Sequence, residues 1–274
     1  MYEQNATATQ DAAPSEQDDG AVARDAGAIT EERVGSEVDA ELETMFRAGV
    51  HFGYSRSRRH PKMAPFLFGI RNNVEIFDLV KVRSQLAAAC EFVEALGKGG
   101  QTLLFAGTKP SLRHLVETAA REIAAPYVCE RWLGGTLTNF KIIKGRVDRL
   151  AELKRQKASG ELERYIKKER LMLQRDLDRL ERHFGGLASL QHLPAALVIV
   201  DSGEERTAVR EAARMRIPVV GILNVDCDPS QVTYPIPAND AAPSSVSYVL
   251  ERLVAAYKAG RASGAAVSSE TASA

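Results

Sequence analysis

The sequence predicts an α/β architecture: a parallel β-sheet with helices on both faces, carrying an inserted antiparallel two-helix hairpin. Three observations predict it. Short apolar runs rich in β-branched residues alternate with amphipathic helical stretches, the pattern of strands covered on both sides. One long, highly charged helical stretch interrupts that alternation between residues 137 and 184. Apolar residues make up 45% and charged residues 26% of the 274-residue chain, so a sizeable core can be buried. No apolar run reaches the ~18 residues of a membrane-spanning helix.

The elements follow in order. Residues 1–36 are rich in Ala, Asp, Glu, Gln and Thr, with almost no large apolar groups. Such a segment buries too little surface to offset its ordering entropy and is expected to be disordered. Val38 to Ala48 repeats apolar residues at helical spacing, with Gly49 as a stop. Phe66–Ile70 and Val74–Phe77 flank Asn72-Asn73 as a β-hairpin. A helix is expected over Val82–Leu96, ended by Gly97, Gly99 and Gly100. Expected strands are Thr102–Ala106, Tyr127–Val128, Ala196–Val200 and Val219–Leu223; expected helices are Ser111–Ala124, Glu204–Met215 and Ser244–Ala259. The sheet so predicted is of the flavodoxin or Rossmann-like kind.

The interruption carries 14 basic and 8 acidic residues. Its apolar positions Ile143, Val147, Leu150 and Leu153, then Leu162, Ile166, Leu173, Leu177 and Leu180, flank Ser159-Gly160. Two helices sharing an apolar seam would make a protruding coiled-coil hairpin. The expected division is an acidic tail (1–36), the sheet domain (37–136 and 185–262), the hairpin (137–184) and a small-residue, disordered C-terminal tail (263–274).

The formal net charge is zero, but it is unevenly spread. Residues 1–44 hold 12 acidic and 2 basic side chains, residues 45–274 hold 24 acidic and 34 basic. The body is therefore basic, and a polyanionic partner fits it. Three scattered cysteines, Cys90, Cys129 and Cys227, suit neither a disulfide scaffold nor a zinc cluster and point to a reducing compartment.

Catalytic constellations are weakly written. Gly107-Thr108-Lys109-Pro110 follows a strand, where a phosphate loop would sit, but it has one glycine, and Pro110 removes an amide. Asp201, Asp226 and Asp228 lie after strands, where a metal or phosphoacceptor site could form, but the ordinary reading is favoured: Asp201-Ser202 caps a helix and Asp228-Pro229 makes a turn. The five histidines have no ligand spacing. Neither a catalytic site, nor a metal, nor a cofactor is expected. The competing reading is a nucleotide-dependent α/β enzyme with a degenerate phosphate loop.

Two segments suit RNA better. Tyr54 to Lys62 holds Arg56, Arg58, Arg59 and Lys62 without an acid, with Tyr54 and His60 offering flat faces; cations meet phosphates and rings stack on unpaired bases. Arg131-Trp132-Leu133-Gly134-Gly135-Thr136 runs on to Asn139 and Lys141 and holds the only tryptophan. Its glycines permit close backbone approach, so either a tight turn around a core Trp132 or a phosphate contact would explain it.

RWLGGTLTNF, with AGVHFGYSRSRRHPKM before it and VDCDP and IPAND after it, resembles the bacterial small-subunit ribosomal protein S-two family over about residues 38–260. The chain departs from the usual family pattern at Tyr54, at Ser55-Arg56 and at Asn224-Val225-Asp226. The resemblance implies a non-enzymatic cytoplasmic component of the small subunit. Its implied partners are small-subunit ribosomal RNA at the junction of head and body, neighbouring ribosomal proteins and ribosomal protein S-one. The implied RNA-binding residues are Tyr54, Arg56, Arg58, Arg59, Lys62, Arg131, Trp132, Gly134, Gly135, Thr136, Asn139 and Lys141.

Overall fold

The computed structural model describes residues 39–272, with side chains as far as residue 265; the expected acidic tail lies outside them. After a helix over residues 39–47 (α1) come β1 (Phe52–Ser55), β2 (Leu67–Arg71) and β3 (Val74–Phe77). These three form an antiparallel sheet in the order β1-β3-β2. The β2–β3 turn places Asn72 at φ 51° and Asn73 at φ 64°, the left-handed pair that a two-residue hairpin requires and that asparagine tolerates.

The main sheet holds β4 (Leu103–Ala106), β5 (Tyr127–Val128), β6 (Ala196–Val200), β7 (Val219–Leu223) and β8 (Tyr234–Pro237), all parallel, in the order β5-β4-β6-β7-β8. The strands β4, β6 and β7 are buried at every position, as both faces are covered. Leu103, Phe105, Val198 and Val200 point into one apolar cluster; Leu104, Ala106, Leu197 and Ile199 point into the other. The first cluster is closed by α2 (Leu79–Lys98), α3 (Arg113–Glu122) and α7 (Pro243–Ala272). The second is closed by α6 (Arg206–Met215) and by the base of the pair α4 (Phe140–Ala158) and α5 (Lys167–Phe184).

The differences from expectation have physical reasons. Strand β8 was not expected, because Pro235 and Pro237 forbid a central strand. It pairs with β7 alone, at the edge where missing amides cost nothing. Gly97 is not a stop but an internal position of α2 where α7 crosses: a Cβ on Gly97 would strike the Tyr257 carbonyl, and one on Gly260 the Glu94 carbonyl. The expected tail after residue 262 instead continues α7 to Ala272, and Gly264 keeps the same close approach, to Lys98.

The two helices of the insertion pack on each other, with Lys154 paired to Glu181 across them. The described residues from 42 onward form one compact unit, and the hairpin base shares the sheet's core: Ile143, Leu150 and Phe184 belong to the same buried cluster as Leu197 and Val219. Leu153, Leu162 and Leu177 are buried outside that cluster. An independently folding protrusion, as the seam alone suggests, is therefore replaced by a base tied to the sheet and a separate distal seam. A charge on an apolar seam costs a few kcal/mol. Leu177→Asp is expected to raise hydrogen exchange only in α4 and α5, whereas Leu150→Asp raises it in β6 and β7 as well and lowers the melting temperature of the whole unit. Equal, hairpin-confined responses from both variants would contradict this coupling.

Candidate nucleic-acid interface

In this strand order the chain reverses direction between β4 and β6, so the crevice at their carboxyl ends is the usual ligand position of such a sheet. Here the protein's own side chains fill it. Lys109 Nζ, from the loop after β4, lies 2.6 Å from Asp201 and 2.7 Å from Asp240, the residues that follow β6 and β8. Burial alone would lower the ammonium's pKa, but the two carboxylates outweigh it and raise it above the ordinary lysine value. Burial would likewise raise Asp201, and Lys109 reverses that and brings it below. Asp201 sits at φ 69°, with Oδ1 accepting from the Gly203 and Glu204 amides at 2.7 and 3.4 Å.

The amide of Thr108, which a phosphate loop would offer to a nucleotide, donates instead to Glu205 Oε1 at 2.8 Å. Glu205 is buried, which pushes its carboxyl up. Asn224, fully buried after β7, donates to Asp240 at 2.6 Å and accepts from the Tyr54 amide at 3.1 Å. Among the described residues no group of three or more His, Cys, Asp or Glu could hold a metal ion.

The basic loop docks on this edge. The His60 amide donates to the Val225 carbonyl at 2.7 Å, and Lys62 Nζ reaches Asp228 at 2.9 Å and Ser230 at 2.6 Å. Arg59 lies 3.4 Å from Glu75, whose side chain is only 1% exposed. Arg56 and Arg58 are exposed, and among the described residues neither has a carboxylate in salt-bridge range. The Arg58 guanidinium lies over the Tyr54 ring, 5.3 Å from its centroid. The four cations grouped by the sequence thus divide into two committed to internal acids and two free.

The second segment follows β5, and Trp132 and Leu137 share a buried cluster with Met63 of the basic loop. Its glycine turn is an anion nest, with Gly135 at φ 93°, but the anion is internal. Glu211 of α6 accepts from Trp132 Nε1 at 3.2 Å, from the Gly135 amide at 2.7 Å and from the Leu137 amide at 2.9 Å. The Thr138 amide and hydroxyl donate to it at 3.1 and 3.2 Å. A phosphate on these amides is therefore replaced by a carboxylate from 74 residues along the chain. Trp132 and Thr136 are buried, the turn around a core Trp132; Arg131, Gly134, Asn139 and Lys141 remain exposed. Burial would raise Glu211, yet the three amides and the indole N–H hold it below the usual glutamate value. Sequence reasoning missed Glu211, Glu75, Asn224 and Asp240, since only the tertiary fold gives each its partner.

A ribosomal protein S2 family model matches residues 45–260. The chain is 42% identical over 211 residues to the small ribosomal subunit protein uS2 of Chlorobaculum tepidum, covering 77% of this chain and 85% of that one. It is 42% identical over 217 residues to the uS2 protein of Thermus thermophilus, covering 79% and 85%. With the uS2 protein of Synechococcus elongatus it shares 41% over 229 residues, covering 84% and 91%.

The internal carboxylates can be tested by substitution and pH. Glu211→Gln should lower stability at neutral pH by about 3 kcal/mol, since several donors lose a charged acceptor. The Glu211 pKa is lowered on folding, so its contribution is complete above the ordinary value of 4.5 and is lost as pH falls through the folded value. The gap between wild type and variant in urea unfolding should therefore narrow below pH 4.5, and a pH-independent gap would contradict the assignment. Lys109→Met leaves two buried carboxylates facing each other and should cost about 3–5 kcal/mol. Its sign is opposite: unpaired buried acids have raised pKa values, so this variant should regain stability as the pH falls.

Proposed function

The chain belongs to the ribosomal protein S2 family, a structural and non-enzymatic one, and on that premise we propose that it is a constituent of the small ribosomal subunit that binds small-subunit ribosomal RNA. The supporting observation is a division of charge. The crevice where an α/β enzyme would hold a nucleotide is filled by Lys109, Asp201, Asp240 and Glu205, while Arg56 and Arg58 stand exposed on the neighbouring loop. Guanidinium groups without internal partners are suited to phosphate oxygens.

The RNA surface consists of Arg56 and Arg58 with Tyr54 beneath, extended by Arg131, Asn139 and Lys141. Arg59 and Lys62 serve it by holding the loop against Glu75 and Asp228; Trp132, Gly134, Gly135 and Thr136 shape the second loop. The family resemblance adds a position between head and body, ribosomal protein S-one and other small-subunit proteins as neighbours, and the cytoplasmic ribosome as location. Among the described residues no helix is long and apolar enough to cross a membrane.

Co-sedimentation with small subunits at moderate and high salt tests the reading. Arg58→Glu should reduce incorporation with an unchanged melting temperature, because exposed substitutions usually change stability by less than about 0.5 kcal/mol. It should also flatten the salt dependence of RNA binding by up to about one unit of log–log slope. Arg59→Glu should instead lower the melting temperature, since it sets a second carboxylate against buried Glu75. Normal incorporation and an unchanged slope for Arg58→Glu would place the RNA elsewhere.

A further inference from the structure

A cleft of about 620 Å³ opens between α6 and the loop after β7, a volume within the ~300–1,000 Å³ range of small-ligand sites. Arg206 and Arg210, one helical turn apart, line one wall, and Asp226 lines the other; His60 adds an imidazole from the basic loop. Both arginines are exposed, and among the described residues neither has a carboxylate in salt-bridge range. Asp226 is exposed, and its Oδ1 accepts a long contact from Cys227 Sγ at 3.7 Å. The Nδ1 atom of His60 accepts from the Lys62 amide at 3.3 Å, which fixes the ring while leaving Nε2 and the ring face unoccupied by that contact.

The cleft offers two guanidinium groups, a flat ring and two carboxylates, of which Asp228 is already paired with Lys62 and Asp226 faces the ligand space. A bare phosphate would be repelled by Asp226, and a cation by the arginines. A ligand that suits both walls carries an anion at one end and N–H donors at the other, as a nucleotide does. We propose that this cleft takes one unpaired nucleotide of the RNA: Arg206 and Arg210 hold its phosphate, His60 stacks on its base, and Asp226 accepts from the base edge. Guanine fits best, because N1–H and the N2 amino group lie side by side and match the two oxygens of a carboxylate. Uracil offers one N–H flanked by two carbonyl oxygens, which a carboxylate repels. The proposal rests on the RNA-binding reading and gives it a specific nucleotide site. His60 belongs to both the cleft and the loop of Arg56 and Arg58, so a strand leaving the cleft passes the free guanidinium groups.

The test is fluorescence anisotropy of the full-length protein with labelled octauridine and with the same strand carrying one central guanosine. The guanosine strand should bind about tenfold tighter, the discrimination of one good two-bond base contact. Asp226→Asn should abolish that preference while leaving the salt slope unchanged. Arg206→Ala with Arg210→Ala should weaken both strands and flatten the slope by roughly 1.4 units, about 0.7 per contact on a single strand. Guanosine monophosphate should compete only at a much higher concentration than the strand. No guanosine preference, a preference that survives Asp226→Asn, or equal competition by the free nucleotide would overturn the proposal. The Asp226→Asn arm stands even if the arginine pair variant fails to fold. Failure of the broader reading is separately visible, as wild-type protein that does not sediment with small subunits.

Discussion

The Lys109 ammonium, held between Asp201 and Asp240, is the constraint on which the rest of this edge depends. It joins the loops after β4, β6 and β8, and Asn224, bonded to Asp240, brings in the loop after β7. The Tyr54 amide then donates to Asn224, so the basic loop is registered on the same cluster. A buried ion pair is weak evidence for net stability, because the desolvation of its charges offsets most of the attraction. Its strength lies in geometry: any arrangement that separates these loops strands an uncompensated charge.

Helix α6 extends this logic. It supplies Glu211 to the donors of residues 132–138, and Glu205, just before its first turn, accepts from the Thr108 amide. The 132–138 loop has the form of an anion receptor and the loop after β4 offers one amide, and in both the acceptor comes from within the chain. The same use of acids applies to Glu75 with Arg59 and Asp228 with Lys62. Net charge therefore understates the surface potential of the body. Acids turned inward neutralise amides or selected cations, and the cations left outside include Arg56, Arg58, Arg131 and Lys141.

The strands Ala196–Val200 and Val219–Leu223 were legible to the residue, because fully buried parallel strands read as unbroken apolar runs bounded by turns; the two-residue edge strand Tyr127–Val128 also falls where it was expected. The hairpin was legible for a different local reason, its Asn72-Asn73 turn, since asparagine tolerates the positive φ that such a turn requires. Elements defined by packing were not. Tyr234–Pro237 is a strand only because β7 offers it an edge, and Gly97 lies inside a helix only because α7 needs its missing Cβ. The basic loop could be found by composition, but composition could not say which arginine faces Glu75. The glycine turn could be marked as a place for either a core Trp132 or an anion, yet the identity of its anion lies 74 residues away, beyond any local pattern.

If the chain acts as proposed, this arrangement has a consequence for how the surface would meet RNA. Loops that order on binding spend part of their interaction energy on lost conformational freedom. Here the 131–140 loop is ordered by Glu211, and the basic loop by Glu75, Asp228 and the Val225 carbonyl. Their ordering is completed when the chain folds, and the exposed guanidinium groups are presented from fixed backbone. Committed cations such as Arg59 and Lys62 would have to break internal ion pairs to reach a phosphate, whereas Arg56 and Arg58 need only shed water and counterions. On the proposed function, the electrostatic part of RNA binding would be set by exposed cations without an internal acid, and on the basic loop the internal acids withdraw Arg59 and Lys62 from that set.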